Sequence, residues 1–419
     1  MTSLHGDDTS MIPGRPGDPL RGRNIVLGVT GSIACYKAIE VTSRLVQAGA
    51  TVDVVLTRSA MEFVTPLAFK AITARAPYTD MFDPNGPEGE AHVELARRAD
   101  LMLIAPATAA TLSRLATGLT EDFVTLTAIA TQAPLLLAPA MDAQMWAHPA
   151  VQANVEVLLE RGVHCIGPDM GRLASGRVGA GRLAEPEQIV DEIRAYLGRL
   201  GGDLVGRTIV VTAGGTREAI DPVRYISNHS SGKMGYAIAE AARDRGAEVV
   251  IVSTVGLAVP AGVRVVTVAS AIEMQTAVHK ACADADVLIA AAAVADYRPA
   301  SAADQKLKKS EGLAGMAIEL VENPHVLGST PTSSSHGTLI KVGFAAETQN
   351  LIENADAKLA QHGARMIVAN DVTATDAGFG SDDNRVTILD DQGGREDYPL
   401  MTKYAVGHAI LDRVARLLK

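Results

Sequence analysis

The sequence contains few aromatic residues and few cysteines. Its 419 residues include six Phe, eight Tyr and one Trp, while Ala, Val and Gly are abundant, which favours buried parallel strands packed closely against helices. The three cysteines, Cys35, Cys165 and Cys282, lie far apart and form no C-x-x-C pair. This spacing argues against a zinc knuckle or a disulfide framework and is typical of a reducing compartment. We therefore predict a cytoplasmic protein.

The sequence also lacks an excess of positive charge and a long apolar run. With 38 basic and 48 acidic residues, its formal charge is −10, so no overall positive field attracts nucleic acid or anionic lipid. The longest apolar run, Val287–Ala295, is about half the length of a membrane span. The N-terminal region lacks the apolar core of a signal peptide. We expect neither a nucleic-acid nor a membrane partner, so an anionic ligand must be bound by local lysines, arginines or helix N-termini.

Two segments of the chain open with the same pattern of strand, glycine-containing turn and helix. The first has the strand Asn24–Val29, the turn Thr30–Ser32 and a helix from Ile33 to about Gln47. The second has the strand Thr208–Thr212 and the helix Gly232–Arg245. Such units predict two doubly wound α/β domains. Further apolar strands are predicted at Leu101–Ala105, Leu135–Ala138, Val287–Ala291 and Met366–Ala369.

The boundary between the two domains is predicted near residues 198–207. There the glycine-rich stretch Leu197–Asp203 follows a helix predicted over Pro186–Tyr196. We divide the chain into a flexible leader (1–21), a first domain (22–198), a linker (199–206) and a second domain (207–419).

Neither glycine-containing turn matches a common nucleotide-binding motif. Both lack G-x-G-x-x-G, which argues against an ordinary nicotinamide dehydrogenase. A P-loop requires Ser or Thr after its lysine, but Lys233 is followed by Met234. Glycine and serine before a helix can still leave N–H groups for a phosphate. A plain turn that packs the helix against its strand is an equal alternative.

Longer polar motifs provide more specific signals. The isolated His92 precedes a short predicted helix, and Asp296 follows an apolar strand, at the edge where open α/β sheets bind their ligands. The first domain contains the motifs Ala105–Thr108 and Pro139–Asp142. The second contains the motifs Thr212–Arg217, Asn228–Gly235, Lys306–Lys309 and Gly343–Thr348.

These motifs resemble those of the bacterial bifunctional phosphopantothenoylcysteine decarboxylases/phosphopantothenate–cysteine ligases of coenzyme A biosynthesis, from about Arg23 to Lys419. The resemblance implies an N-terminal flavodoxin-like domain that uses FMN to decarboxylate 4′-phosphopantothenoylcysteine to 4′-phosphopantetheine. It implies a C-terminal Rossmann-like domain that joins cysteine to 4′-phosphopantothenate with CTP and Mg²⁺, through an acyl-cytidylate. It also implies a homo-oligomer, a dodecamer built from trimers and dimers.

For the ligase half, the resemblance assigns roles to two polar residues. Asn228 corresponds to the residue that positions the pantothenate and the acyl-cytidylate, and Lys306 to the catalytic lysine of a K-x-K-K motif. The general alternatives are a turn-forming asparagine and a solvated basic loop. The implied CTP contacts are Gly215, Ala291, Ala292, Ala293, Asp296, Lys306, Phe344 and Lys358, with Asp296 also the candidate metal ligand. A solvated surface residue is the alternative for Lys358.

For the decarboxylase half, the resemblance assigns His92 as the active-site base. An imidazole that titrates near neutrality suits a thiol with a pKa of ~8.5. The alternative is a histidine that bonds to the backbone at a helix start. The implied FMN contacts are Gly31, Ser32, Thr57 and Thr108.

Two positions depart from the family pattern. Many members have an asparagine that holds the substrate carboxylate where this chain has Asp142, beside Met141 in the substrate-binding motif. An ionised Asp142 would repel that carboxylate, so it could bind only if protonated or turned away. Ser175 replaces a cysteine used in the final reduction, and a hydroxyl is a far weaker acid than a thiol. The alternative function is therefore a monofunctional ligase whose N-terminal domain is a non-catalytic, flavin-binding assembly module.

Overall fold

The computed structural model describes residues 14–81, 90–308, 316–347, 359, 361–371 and 380–419. The chain divides into two units, Met1–Arg194 and Ala195–Lys419. Each unit has its own sheet of parallel strands and its own apolar core.

The first unit contains a parallel sheet and a separate hairpin. Its strands are β1 (Asn24–Val29), β2 (Thr51–Leu56), β3 (Leu101–Ala107), β4 (Leu135–Pro139), β5 (His164–Cys165), β6 (Asp169–Arg172) and β7 (Val178–Arg182). The sheet has the order β2-β1-β3-β4-β5 with every pair parallel, while β6 and β7 form an antiparallel hairpin. This strand order is that of flavodoxin-like folds, and it confirms the predicted architecture.

Helices connect the parallel strands of the first unit. They are α1 (Cys35–Gln47), α2 (Pro66–Thr73), α3 (Ala91–Arg98), α4 (Ala109–Thr117), α5 (Phe123–Ala130), α6 (Ala143–Trp146) and α7 (Pro149–Glu160), followed by α8 (Pro186–Gly201), which continues into the second unit. The strands of the sheet are almost wholly buried, so their continuous apolar sequences fit a sheet covered on both faces.

The second unit contains a larger sheet and three short strand pairs. Its strands are β8 (Thr208–Ala213), β9 (Arg217–Ala219), β10 (Tyr225–Ser227), β11 (Glu248–Ser253), β12 (Arg264–Thr267), β13 (Val287–Ala290), β14 (Tyr297–Pro299), β15 (Leu320–Glu322), β16 (Ser333–Ser334), β17 (Gly337–Thr338), β18 (Ile340–Glu347), β19 (Met366–Asp371), β20 (Asp383–Asp390) and β21 (Arg395–Thr402). The large sheet has the order β12-β11-β8-β13-β18-β19-β20-β21.

The first six strands of that order are parallel, and the last two are antiparallel. Counted along the chain, the parallel strands follow the 3-2-1-4-5-6 order of Rossmann folds, as predicted. The helices of this unit are α9 (Lys233–Asp244), α10 (Ala271–Cys282), α11 (Val326–Ser329) and α12 (Lys403–Leu417). Apolar residues of α9 and α12 belong to one buried cluster, and those of α10 belong to another.

Several predicted boundaries are wrong by a few residues. Helix α1 begins at Cys35 rather than Ile33, and His92 lies within α3 rather than before it. Strand β3 includes the motif residues 105–107, and β13 ends at Ala290, so Asp296 lies six residues beyond that strand. Helix α8 continues to Gly201 rather than ending at Tyr196.

A close backbone contact explains why α8 continues through a glycine. A Cβ added at Gly198 would lie 2.6 Å from the carbonyl oxygen of Arg243. Gly198, which was placed in the glycine-rich stretch after the predicted helix, therefore lies within α8 and serves close packing against the end of α9.

Another glycine positions α9 against the sheet. A Cβ at Gly235, in the first turn of α9, would lie 2.8 Å from the carbonyl oxygen of Thr212 and 2.7 Å from the Ala213 Cβ. The first of these neighbours is a backbone atom and the second is the Cβ of an alanine, so neither can rotate away. Gly235 thus fixes how closely the N-terminus of α9 approaches the carboxyl end of β8.

We predict that Gly235→Ala destabilises the second unit by about 1–3 kcal/mol, because the extra methyl overpacks the contact with β8. The measurement is thermal unfolding of the full chain by scanning calorimetry. The matched control is Gly201→Ala, since an added Cβ there meets no atom within 4 Å among the described residues. A midpoint unchanged by Gly235→Ala would contradict the close packing.

Candidate active sites at the carboxyl edges of the sheets

The strand order reverses between β1 and β3 in the first unit and between β8 and β13 in the second. At such a reversal the connections on either side lead away in opposite directions and leave a crevice at the carboxyl ends of the strands. The polar motifs of each unit follow these strands in the sequence. The two edges are therefore the candidate active sites.

Thr30 joins the carboxyl ends of β1 and β3. Its hydroxyl donates to the carbonyl oxygen of Pro106 at 2.7 Å and accepts from the N–H of Thr108 at 3.2 Å. The side chain is buried, so these bonds belong to the scaffold. They bring the predicted residues Gly31, Ser32 and Thr108 to one edge of the sheet.

The turn after β1 leaves an anion-binding helix start. Ala34 occupies the N-cap position of α1 and provides no side-chain cap, whereas Thr108 caps α4 by accepting from the N–H of Thr111 at 3.3 Å. The N–H of Cys35 donates to the carbonyl oxygen of Ser32 and that of Lys37 to the carbonyl oxygen of Ala34, both at 3.0 Å, which leaves the N–H of Tyr36 in this turn for a ligand such as a phosphate. A Cβ at Gly31 would lie 2.5 Å from the Ser59 Oγ, so glycine allows the loop after β2 to approach this turn.

Thr57 uses its hydroxyl within that neighbouring loop. Its Oγ1 lies 3.4 Å from the carbonyl oxygen of Val29 and accepts from the N–H of Ala60 at 3.2 Å. Thr57 is buried. It shapes the loop beside the turn after β1, and a direct hydroxyl contact with a cofactor stays a prediction.

His92 is positioned by an aromatic neighbour. Its ring stands edge-on to the ring of Phe123, at the start of α5, with 6.5 Å between the ring centres. Phe123 also packs against Tyr78, whose ring centre is 5.7 Å away. The histidine is therefore oriented by α5, a contact that its sequence neighbours do not indicate.

The two residues that depart from the family pattern are hydrogen-bonded to each other. The Ser175 hydroxyl donates to the Asp142 Oδ2 at 2.7 Å. Two hydrogen bonds hold the pKa of the Asp142 carboxyl below its usual range. The bond from Ser175 has the larger effect, and the bond from the N–H of Gln144 has the smaller one. Asp142 is therefore ionised at neutral pH, so of the two conditions stated for carboxylate binding, protonated or turned away, the structure disfavours the first. Burial raises the pKa of the Cys165 thiol to about 11, so Cys165 is a poor replacement for a flap cysteine.

A cavity of about 910 Å³ lies at the carboxyl edge of the second sheet. Six of the predicted residues line it: Asn228, Ala291, Ala292, Ala293, Asp296 and Phe344. Gly215 contributes through the backbone, since it pairs with Ala293 in an isolated parallel bridge. Lys306 is not among the lining residues, and Lys358 lies outside the described residues.

Hydrogen bonds join the loops that follow β8 and β13. The Thr212 hydroxyl accepts from the N–H of Ala292 at 3.0 Å, and the Thr216 hydroxyl accepts from the N–H of Ala295 at 2.9 Å. The N–H of Ala293 donates to the carbonyl oxygen of Gly214 at 2.8 Å. These bonds hold the main chain of residues 291–295 in a fixed path along the cavity.

Asn228 is held against the same loop. Its Nδ2 donates to the carbonyl oxygen of Val294 at 3.0 Å. Among the described residues its Oδ1 has no hydrogen-bond partner. A Cβ at Gly215 would lie 2.5 Å from the carbonyl oxygen of Asn228, so the two loops meet only because residue 215 is glycine. The asparagine amide is thus fixed at the cavity wall with an acceptor available to a ligand.

Lys306 lies on an exposed loop that is anchored by Asp221. The Asp221 Oδ2 accepts from the N–H of Leu307 at 3.1 Å, and the Arg224 side chain donates to the carbonyl oxygen of Leu307 at 2.9 Å. The Arg224 guanidinium holds the pKa of the Asp221 carboxyl well below its usual range. The polar stretch that follows Asp221 therefore fixes the backbone directly beside Lys306.

The sequence interpretation missed a group of polar residues that line the cavity. Lys403 is the first residue of α12, and its Nζ donates to the carbonyl oxygen of Ser381. Burial, followed by the positive charge of Lys233, lowers the pKa of the Lys403 ammonium. Other residues in this group are Glu322, Asn323, His325, Asn370 and Asn384. No motif marks them, because they come from the ends of strands and helices far along the chain.

The N-terminus of α9 also opens into the cavity. Gly232, its N-cap, has a φ of +74° and no side chain to cap the helix. Gly232, Met234 and Gly235 all line the cavity. The first-turn N–H groups and the nearby Lys403 therefore form a surface suited to phosphate.

No group of three or more His, Cys, Asp or Glu side chains is placed to hold a metal ion within the described part of the chain. Asp296 and Glu322 both line the cavity. Two carboxylates without further protein ligands suit Mg²⁺, which keeps several waters and binds substrate phosphates.

Within the same part of the chain, no helix is both long and apolar enough to cross a membrane.

Two family models match the chain, one in each half. The model described as "Flavoprotein" matches residues 14–198, and the one described as "DNA/pantothenate metabolism flavoprotein C-terminal domain" matches residues 204–418.

Similar proteins cover nearly the whole chain. The Coenzyme A biosynthesis bifunctional protein CoaBC of Vibrio cholerae is 44% identical over 393 residues, covering 94% of this chain and 98% of the relative. The protein of the same name from Bacillus subtilis is 45% identical over 403 residues, covering 96% and 98%.

Solved structures resemble each half. The crystal structure of a CoaBC C-terminal domain is 40% identical, covers 52% of this chain and 98% of its own, and has a TM-score of 0.44. A PPC decarboxylase mutant complexed with pantothenoylaminoethenethiol is 31% identical, covers 42% and 98%, and has a TM-score of 0.38.

We predict that Asp221→Asn loosens the loop that carries Lys306, because the new amide places a donor toward the N–H of Leu307 and the Arg224 guanidinium. Hydrogen exchange of the Leu307 N–H should accelerate about tenfold. Asp304→Asn, on the same exposed stretch, is the matched control. Unchanged protection of Leu307 in Asp221→Asn would show that Asp221 does not anchor the loop.

Proposed function

The chain belongs to the family of bifunctional coenzyme A biosynthesis proteins, and from that premise we propose how its two sites perform the family's two reactions. The protein is a phosphopantothenate–cysteine ligase and a phosphopantothenoylcysteine decarboxylase in one chain. In our proposal, the second unit makes 4′-phosphopantothenoylcysteine with CTP, and the first unit decarboxylates it with FMN to 4′-phosphopantetheine.

The observation that carries the ligase proposal is the composition of the cavity wall. Part of this wall is the main chain of residues 291–295, which hydrogen bonds hold in place and whose carbonyl oxygens at Ala291 and Ala292 can accept from a base edge. Another part combines the N-terminus of α9 with Lys403. A cavity that combines acceptors for a base edge with a phosphate-binding surface suits a nucleotide, and we assign CTP with Phe344 covering the base and Gly215, Asp296 and Lys358 as further contacts.

Two side chains promote the ligation in this proposal. The carboxylate of 4′-phosphopantothenate attacks the α-phosphorus of CTP, which releases pyrophosphate and forms the acyl-cytidylate. Cysteine then attacks the acyl carbon and displaces CMP. Asn228 orients the pantothenate and the acyl-cytidylate from its fixed position on Val294. Lys306 supplies a positive charge that follows the negative charge from carboxylate to phosphate.

Mg²⁺ fits this site as an ion shared between protein and nucleotide. Asp296, with Glu322 near it in the cavity wall, would hold the ion, and the phosphates would complete its coordination. The ion neutralises charge on the triphosphate. The protein's own contribution is to hold Glu322 on β15 opposite Tyr297 of β14, with Asp296 directly before that strand.

FMN fits the carboxyl edge of the first sheet. The uncapped start of α1 suits the phosphate, with Gly31, Ser32, Thr57 and Thr108 around it. When bound, the flavin supplies a two-electron acceptor and donor. The chain's own residues bind it, orient the substrate and move protons.

His92 is the base of the first unit in this proposal. It accepts the proton of the substrate thiol, which requires a neutral imidazole next to that thiol. The Phe123 ring stands edge-on to the imidazole and restricts the orientations that the imidazole can adopt. Met141, Asp142 and Ser175 surround the substrate from the end of β4 and the tip of the β6–β7 hairpin. We further propose a cytoplasmic homo-oligomer, a dodecamer, as in the sequence prediction.

We predict that His92→Ala and Lys306→Ala block different steps. Wild-type protein incubated with FMN, Mg²⁺, CTP, 4′-phosphopantothenate and cysteine should yield 4′-phosphopantetheine. His92→Ala should accumulate 4′-phosphopantothenoylcysteine, since the thiol keeps its proton, and Lys306→Ala should form no amide. Mass spectrometry of the products measures both.

The wild-type products also test the alternative function. If wild-type protein stops at 4′-phosphopantothenoylcysteine while binding FMN, the first unit is a non-catalytic assembly module. Formation of no CTP-dependent product would overturn the ligase proposal. Replacement of CTP by ATP in the same assay tests the base selectivity.

We predict that Lys403→Met raises the KM for CTP about tenfold, because a charged contact with phosphate is lost. The lowered pKa of Lys403 means that its charge is lost at a lower pH than that of an ordinary lysine. The KM for CTP in wild type should therefore rise toward alkaline pH, and the variant should lack this rise. Lys280→Met, on the exposed side of α10, is the control; equal effects in both would exclude a specific role.

A further inference from the structure

The hairpin of the first unit is fastened to the end of β4 through one carboxylate. Ser175, at the hairpin tip, donates to the Asp142 Oδ2 at 2.7 Å. Asp142 is also the N-cap of α6, where its Oδ1 accepts from the N–H of Gln144 at 3.0 Å. Both carboxylate oxygens are thereby engaged, one by the hairpin and one by the helix.

The base of the hairpin lies against the same segment of chain. The N–H of Met141 donates to the carbonyl oxygen of Gly181 at 2.9 Å. A Cβ at Gly181, whose φ is +143°, would lie 2.3 Å from the carbonyl oxygen of Met141, and one at Gly179 would lie 2.6 Å from the Ala143 Cβ. Two glycines therefore allow β7 to follow residues 141–143 closely, and the Ser175–Asp142 bond fastens the tip.

A carboxylate in this state is a poor receptor for a second carboxylate. Asp142 is stabilised in its ionised form by Ser175 and Gln144, and two like charges in one site repel each other. A group of opposite charge stands beside it. The Arg177 Nη1 lies 3.8 Å from the Asp142 Oδ1, and the Arg177 side chain is 58% exposed.

The distance leaves Arg177 able to take another anion. At 3.8 Å the two groups attract each other without a hydrogen bond. A guanidinium carries five N–H donors in a planar fork that matches a carboxylate. The bond between Ser175 and Asp142 holds the hairpin tip in place, and Arg177 lies two residues after Ser175, so this bond also positions the backbone of Arg177.

We propose that Asp142 and Ser175 form a latch that holds the hairpin closed, and that Arg177 binds the carboxylate of the decarboxylase substrate. Asp142 and Ser175 are then positioning residues, and Arg177 determines specificity for an acidic substrate. The inference rests on the proposed decarboxylation of 4′-phosphopantothenoylcysteine. The family resemblance leads one to expect a neutral asparagine that binds the substrate carboxylate. In this proposal Arg177 binds that carboxylate instead, and Asp142, at the position of the asparagine, holds the hairpin.

Two unreactive analogues that differ only in the carboxylate test the proposal. 4′-Phosphopantothenoylserine keeps the carboxylate and has a hydroxyl in place of the thiol, and 4′-phosphopantothenoylethanolamine lacks the carboxylate. Calorimetric titration of FMN-loaded full-length protein gives both affinities. Arg177→Gln should weaken the serine analogue by about 10- to 100-fold and change the ethanolamine analogue less than about twofold.

Other variants separate the latch from the receptor. Arg172→Gln removes an exposed arginine from the same hairpin and should change neither affinity. Ser175→Ala should weaken both analogues to the same degree, because it frees the hairpin tip without removing the receptor. Asp142→Asn should tighten the serine analogue selectively, because it removes a charge that competes for Arg177.

The outcomes distinguish this inference from the proposed function. If Arg177→Gln weakens both analogues equally, or neither, Arg177 does not receive the carboxylate. If Asp142→Asn selectively weakens the serine analogue, Asp142 is itself the receptor. Wild-type protein that binds neither analogue would overturn the decarboxylase proposal, and the inference with it.

Discussion

Parallel strand alignment is the constraint on which both sites depend. Because parallel strands need crossover connections, every loop that follows a strand emerges at the same edge of its sheet. Each unit then uses a threonine hydroxyl to join the two loops beside the reversal of strand order. Thr30 bonds to the main chain at the end of β3, and Thr212 bonds to the main chain after β13. Because both hydroxyls are hydrogen-bonded to the main chain, the groups that bind ligands must come from adjacent positions.

The two edges solve the problem of binding anions with different groups. In the first unit, the start of α1 offers the N–H of Tyr36 beside hydroxyls, while Lys37 in the same turn is buried and paired with Glu185 at 2.9 Å. In the second unit, the start of α9 is supplemented by Lys403. In our proposal the chain binds a polyphosphate in spite of its net charge of −10, because local placement of cations and helix termini outweighs the overall field.

The sequence predicted those features that depend on neighbours along the chain. Strand β1 has the bounds predicted for it, Asn24–Val29, and both strand orders follow from the predicted architectures. Features that depend on distant residues could not be predicted. Lys403 begins the last helix, and Phe123 orients His92 from another helix. The helix α8 was predicted to end at Tyr196, before Gly198, because the close contact between Gly198 and Arg243 is not visible in the sequence.

Contacts between distant residues also change how Asp142 and Ser175, the two unusual residues of the first unit, are interpreted. Considered singly, Asp142 adds a repulsive charge and Ser175 removes a reactive thiol, and each suggests a loss of activity. In the structure they are 33 positions apart in the chain and 2.7 Å apart in space, with Arg177 beside them. A hydroxyl can donate to a carboxylate, and a guanidinium can balance its charge, so the charge that Asp142 introduces is met locally, although the hydroxyl does not restore the acidity of a thiol. A carboxylate that is hydrogen-bonded and charge-balanced favours a site that is maintained in altered form over one that has decayed.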